Sequence, residues 1–355
     1  MPRSRAILSL LGYCYYQQNN FEQAASHYGT LTSVCPEVYE YRTYYAQCLI
    51  MIGSHEEAAN ALNKINSSVQ NQQSNFLKAI VHFEQDNIEE CRSCLEDCLV
   101  DNPDSFVAEA ALLFKEGKIE EARDMYLEAL GIQGYQADIN YGLALCYYSL
   151  GNMHVATTYV DEIIEKSSKQ YPNFKVDQSE QDNMINIGNS KVLEESFLIE
   201  AINLKAAIDY TDSKDSVKEA KQTFLIMPPR SDEELDAITL QNQAILNMDD
   251  DANTGYQKLN FLLANPPFPT ETFGNLLLLY CQQGYHELAA DILAQNAHLT
   301  MTLLTKDLYD FLDASIMLST SAEEAYRKFD DLAKRGLDRL RKLSNSILQT
   351  KATSD

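Results

Sequence analysis

The stretch LGYCYYQQNNFEQAASHY at 11–28 is written again, in the same pattern, as YAQCLIMIGSHEEAANAL at 45–62. Gly12 and Tyr15 return 34 residues later as Ala46 and Leu49, and Ala24, Ala25 and Tyr28 return as Ala58, Ala59 and Leu62. A period of this length in helix-forming sequence leaves few folds open. Each period is a helix–turn–helix that cannot bury its apolar face alone, so copies must stack. Stacked copies build an extended concave wall, which suits holding a partner better than enclosing a substrate.

The rule behind the pattern is steric. Small residues are needed where the two helices of a unit cross, larger apolar side chains fill the space between, and a proline often closes the second helix. The first unit reads Leu11, Gly12, Tyr15, Ala24, Tyr28 and Pro36, and the second Ala46, Leu49, Ala58 and Leu62. Ala79, Cys91, Leu95, Cys98 and Pro103 mark the third; Ala110, Leu113, Ala122, Tyr126 and Ala129 the fourth; Leu143, Ala144, Tyr147 and Ala156 the fifth. These are tetratricopeptide repeats, and they predict an all-α, right-handed superhelical solenoid.

About five units fill 1–166. Residues 167–191 lose the helical period and carry Pro172, Gly188 and many polar side chains, which predicts a long inter-repeat loop. About four weaker units follow over 192–334, two of them closed by the pairs Pro228-Pro229 and Pro266-Pro267. The end, 335–355, reads as a separate amphipathic helix with Leu337, Leu340, Leu343 and Ile347 on one stripe. Pro2 lies 34 residues before Pro36, at the closing position of a repeat without a body. Nothing follows the 337–347 stripe to cover it. Natural arrays cap their ends with polar faces, so the expectation is an internal piece of a longer array.

The 28 basic and 52 acidic side chains among 355 residues give a net charge of −24. A field of that sign repels phosphate backbones and anionic headgroups, which excludes nucleic acid and a membrane surface as expected direct partners. No uncharged run reaches the roughly 18–20 residues of a membrane span. The apolar stretch after Arg5 stops at Gly12 and belongs to the first repeat, so it is not read as a leader. Eight cysteines scattered through helical sequence predict reduced thiols and a cytosolic setting.

No catalytic, cofactor or metal site is predicted. Cys91, Cys94 and Cys98 share a helical face as a CxxC core would, but Cys91 and Cys98 occupy the small-residue positions held by Ala122 and Ala129 one unit later. Buried structural thiols are the expectation. The trio Asp249-Asp250-Asp251 resembles the start of a calcium loop, yet Thr254 and Asn260 stand where such loops need glycine and a bidentate glutamate. A solvated inter-helix turn is predicted there. The six histidines are dispersed, and no HExxH, G-x-S-x-G or phosphate-binding glycine loop is present.

The inner wall is the informative surface. Counting from the small-residue positions, its candidate partner-binding residues are Tyr13, Tyr16, Gln47, Tyr141, Tyr148, Asn203, Tyr210 and Leu278. Tyrosine offers a flat apolar face and a hydroxyl, which suits extended or proline-rich peptides. The alternative for each tyrosine is that it only packs between neighbouring first helices. The first three units lack the Lys/Arg and Asn set that carboxylate-clamp co-chaperones use.

Several strings carry a resemblance beyond the repeat rule: RSRAILSLLGYCYY, YGLALCYYS, EAINLKAAIDY, MPPRSDEELDAITLQNQAILNMD, PFPTETFGNLLLLYC and LAADILAQNAHLT. Together, and in this order, they resemble the fleer-type tetratricopeptide-repeat family of the intraflagellar transport B complex, also called the intraflagellar transport protein 70 family. The resemblance is weak over 68–106 and the 167–191 loop, and 211–217 carries a small insertion. It implies a non-enzymatic scaffold subunit in the cilium or flagellum, basal body and cytoplasm, needed for cilium assembly. Its implied partners are other subunits of that complex, above all a proline-rich segment of intraflagellar transport protein 52, around which the family winds. A link to polyglutamylation of axonemal tubulin is implied as well. Two other readings stay open on the residues alone. One is a general cargo or co-chaperone adaptor outside cilia; the other is an enzyme using the 167–191 loop or the Cys91–Cys98 helix.

Overall fold

In the computed structural model, residues 4–65, 72–98, 103–174, 188, 190–212, 216–231 and 234–354 are described. These hold twenty α-helices and no strand. The chain divides into two compact units, Met1–Glu234 and Leu235–Asp355.

Unit 1 is built from helix pairs. These are α1 (Arg5–Gln17) with α2 (Phe21–Val34), α3 (Tyr39–Ile52) with α4 (His55–Asn63), and α5 (Gln72–Glu84) with α6 (Ile88–Glu96). Then come α7 (Pro103–Lys115) with α8 (Ile119–Gln133) and α9 (Ala137–Ser149) with α10 (Met153–Gln170). A short α11 (Lys191–Glu195) precedes the last pair, α12 (Leu198–Asp212) with α13 (Ser216–Phe224).

The repeat is visible in the backbone as well as in the side chains. Left-handed residues stand between first and second helices at Asn19, Gly53, Asp86, Gly117 and Gly151, so the spacing stays near the sequence period. Each turn is locked by the same bond, in which the following N–H returns to a first-helix carbonyl. Asn20 donates to Tyr15 at 2.9 Å, Ser54 to Leu49 at 2.9 Å, Asn87 to His82 at 2.9 Å, Lys118 to Leu113 at 3.0 Å and Asn152 to Tyr147 at 2.9 Å. This is the bond pattern of a Schellman helix end, which satisfies carbonyls the helix would otherwise leave unpaired.

The predicted crossing positions are fully buried: Ala24, Ala46, Ala58, Ala110, Ala122, Ala129 and Ala156 have no exposed surface. Close approach also uses missing side chains. A Cβ on Gly12 would fall 2.9 Å from the Tyr28 ring, and one on Gly142 only 2.5 Å from Tyr126. The apolar core is serial. One cluster joins α1 to α3, another α3 to α5, then α5 to α7, α7 to α9, and α9 with α10 to α12. The second helices α2, α4, α6, α8 and α10 are therefore buried by the next unit as well as their own, as stacking requires.

The predicted loop begins later than its sequence suggested. No breaker precedes Pro172, so α10 runs to Gln170 and a 3₁₀ turn, Pro172–Phe174, follows. Most of that loop, 175–187 and 189, lies outside the described residues. At its far side, Lys191 Nζ donates to Gln17 Oε1 at 3.4 Å, and Asn19 Nδ2 donates to Glu194 Oε2 at 3.3 Å. Within unit 1, the turn after the first helix thus meets α11.

Unit 2 comprises α14 (Ala237–Leu246), α15 (Ala252–Ala264), α16 (Glu271–Gln282), α17 (His286–Gln295), α18 (Ala297–Leu303), α19 (Lys306–Met317) and α20 (Ala322–Ser354). The α16–α17 turn repeats the unit 1 design, with Gly284 at φ +78° and Tyr285 donating to the Tyr280 carbonyl at 2.8 Å. The predicted separate helix at 335–355 is instead the second half of α20, since nothing between 322 and 354 interrupts helix formation. Ion pairs hold α20 to α19: Lys328 with Asp313, Arg335 with Asp310, and Arg339 with Asp307. Its stripe of Leu337, Leu340, Leu343 and Ile347 is exposed.

Candidate partner-binding face

The first helices of unit 1 carry the positions predicted to face inward, and the structure sorts them by what their neighbours leave uncovered. Tyr13 on α1 is 56% exposed and Tyr210 on α12 is 50% exposed, so both present ring surface. Tyr16 is half-buried, its ring edge-on to Phe21 at 5.4 Å, and burial raises its hydroxyl above the ordinary tyrosine value. Gln47 and Tyr148 are half-buried, the latter packed against the α9–α10–α12 cluster.

Tyr141 and Asn203 are spent largely on the fold. The Tyr141 ring packs on Phe197 at 5.8 Å, and desolvation pushes its hydroxyl up to about 12. Asn203 is 6% exposed and its amide donates to the Ile199 carbonyl at 3.0 Å. Leu278 lies in unit 2, half-buried against the shared core there. The exposed aromatic surface of unit 1's candidate set therefore centres on Tyr13 and Tyr210.

The other constellations have structural explanations. Cys91 and Cys98 are buried, and Cys98 Sγ donates to the Cys94 carbonyl at 3.4 Å. Burial raises all three thiols, which disfavours the thiolate a metal or an electrophile would need. None of the eight cysteines is in a disulfide. Asp251 is the N-cap of α15, accepting from the Thr254 amide at 3.2 Å and its hydroxyl at 2.5 Å. Those bonds hold its carboxyl below the usual range. Among the described residues, no group of three His, Cys, Asp or Glu side chains converges as metal ligands would.

Two features escaped the sequence reading. A cavity of about 400 Å³ opens between α5 and α7, lined by Phe76, Ile80, Phe83, Val107, Ala108 and Ala111 among others. The signal was present, since these residues fall on inner-wall positions of the third and fourth units. The weak register of 68–106 hid it. The meeting of the first turn with α11 was not legible at all, because a repeat period does not encode superhelical pitch.

Comparison with known proteins fits this helical array. The chain is 44% identical over 354 residues to intraflagellar transport protein 70A of Xenopus tropicalis, covering 99% of this chain and 54% of that protein. It belongs to the intraflagellar transport protein 70 family. Against the human intraflagellar transport protein 70A, identity is 42% over 366 residues, with 100% of this chain and 55% of that protein covered. The chain thus spans about half the length of the curated relatives it matches. The family description "Intraflagellar transport protein 70 C-terminal domain" matches 272–355, and "Intraflagellar transport protein 56" matches 8–177. Among solved structures, the hetero-tetramer Cut9–Hcn1 of the APC/C is similar in fold. Its TM-score is 0.57 at 14% identity, covering 88% of this chain and 56% of that one.

Proposed function

We propose that this chain of the intraflagellar transport protein 70 family acts as a non-enzymatic scaffold component of the intraflagellar transport B complex. Its inner wall winds around a proline-rich segment of intraflagellar transport protein 52. The observation that carries the reading is the 44% identity to a protein 70A along 99% of the chain. The half-exposed tyrosines on first helices support it, since flat rings with hydroxyls match proline faces and their intervening carbonyls. A polyproline segment also arrives with little conformational freedom left to lose.

The same reading gives it other subunits of that complex as partners and a place in the cilium or flagellum, basal body and cytoplasm. It also gives it a part in cilium assembly, with a link to polyglutamylation of axonemal tubulin. Nucleic acid is not a partner in this reading, given the net charge of −24. Among the described residues, no helix is long and apolar enough to cross a membrane.

Affinity purification of the tagged chain from ciliated cells, read by mass spectrometry, tests the assignment. Transport B subunits are expected, with protein 52 foremost. An even cytosolic distribution with chaperones as the main co-purifying proteins would replace the proposal with the general-adaptor reading. The wall itself is tested by melting with a proline-rich peptide of protein 52. At a hundred times its dissociation constant the peptide adds about 2.7 kcal/mol. An unchanged Tm at saturation would remove the inner wall as its site.

A further inference from the structure

We infer that the inner wall of unit 1 carries, between α5 and α7, an anchor pocket for an apolar side chain flanked by lysine or arginine. The inference rests on reading the inner wall as the partner-binding face, and it names the chemistry of one position along it. The cavity there, about 400 Å³, is within the roughly 300–1,000 Å³ of small-ligand clefts. Three alanines make the room: Ala79, Ala108 and Ala111 line it where larger side chains would fill it. Phe76, Ile80 and Phe83 supply apolar wall, and α6 adds Cys91 and Leu95. The rest of the lining comes from α5, α7 and α9, all first helices, so the mouth opens on the inner wall.

Charge decides what fits. Glu84, Asp104 and Asp138 border the apolar lining, all three exposed, and among the described residues none in the lining is basic. Lys115 lies over the Phe83 ring at 4.2 Å, but its ammonium is already held by Asp86 at 2.7 Å. A purely apolar occupant would strip water from carboxylates without replacing it, and an acidic one would be repelled. An aromatic or aliphatic side chain with a neighbouring lysine or arginine buries in the cavity while its cation meets the carboxylates. Such a partner is also what the wider negative field of the chain would attract.

The test uses fluorescence anisotropy with the full chain and a fluorescein-labelled heptapeptide holding phenylalanine between two lysines. Saturable binding is expected, weakening as salt rises through about 0.15 M because the flanking charges become screened. Replacing the peptide's phenylalanine by alanine, or its lysines by glutamates, is expected to weaken binding at least about tenfold. On the protein, Ala111→Trp fills the cavity and is expected to abolish binding. The milder Glu84→Gln reports the charge contribution without touching the packing, and circular dichroism checks that both variants fold. Equal binding of the alanine or glutamate peptide, or undiminished binding to folded Ala111→Trp, would overturn the anchor pocket. Co-purification of protein 52 with Ala111→Trp in that event would leave the scaffold reading standing. Loss of protein 52 from the unmodified chain, with peptide binding intact, would remove the scaffold reading instead.

Discussion

The two units solve the burial problem differently. Unit 1 divides its core into clusters, most of them shared by consecutive helices, with alanine, glycine or cysteine at the crossings of its repeats. Unit 2 fuses its core into one cluster reaching from Ala244 on α14 through Phe273, Leu276 and Leu277 to Leu312 on α19. A serial core tolerates repetition because each junction needs only the same small set of contacts. A fused core needs particular large side chains in particular places, so the repeat rule fades there. The difference teaches that a strong sequence period marks local burial, and a weak one marks burial shared among many elements.

Phe273→Ala is expected to give the largest effect, about 3–5 kcal/mol, since a fully buried phenylalanine leaves a cavity at the centre of the fused core. Hydrogen exchange is expected to accelerate together across α14 to α19. Protection lost only on α16 would mean that unit 2 is as serial as unit 1.

Overpacking the crossings of unit 1 comes next. Leucine at Ala24, Ala58 or Ala156 is expected to cost about 1–3 kcal/mol each, with faster exchange confined to the adjoining helices. The same change at exposed Glu22 is expected to stay within about 0.5 kcal/mol. Melting temperatures in the reverse order would break the assigned register.

Two glycines sharpen the contrast further. Gly142→Ala gains about 0.5–1 kcal/mol of helix propensity but drives a Cβ into the buried Tyr126 ring, so a net loss of about 1 kcal/mol is expected. Gly336→Ala meets nothing within 4 Å, so about 0.5–1 kcal/mol of stabilisation is expected on α20. Thermal melts of the pair read the opposite signs directly.

The smallest effect belongs to Asp251, whose folded-state carboxyl is depressed by the Thr254 hydroxyl and amide. A depressed acid stabilises above its unfolded value and loses that contribution as pH falls through the folded one. The stability gap between the protein and Asp251→Ala is therefore expected to be full at neutral pH and to close on acidification through the carboxylate range. A gap that widens below pH ~4 would contradict the cap.

The fold was legible in the sequence wherever one residue's size decided the outcome. Ala24, Ala58 and Ala156 could be placed at crossings because only small side chains fit. Boundaries are less legible: the stripe from Leu337 to Ile347 makes 335–355 read as a separate element, whereas α20 continues for want of a breaker. The candidate face was legible in part. Tyr13 and Tyr141 stand one helical turn apart on the same face of their first helices, yet only Tyr141 has Phe197 against it, from the turn that precedes α12. The α5–α7 cavity was hidden for a related reason. A void is a difference between the volumes of several neighbours, and no single residue announces it.

The bonds that Lys191 donates to Gln17 and Asn19 donates to Glu194 close the chain between them into a loop. Both are exposed polar contacts, a class worth at most about 1 kcal/mol each in water. Were a partner strand to pass between these contacts and the inner wall, its release would depend on opening the seam as well as on affinity. If folded domains bound that strand on both sides, it would enter sideways through this seam or be enclosed before those domains fold. Exchange of such a partner would follow the rate of seam opening, and the order of synthesis would set which copies ever meet.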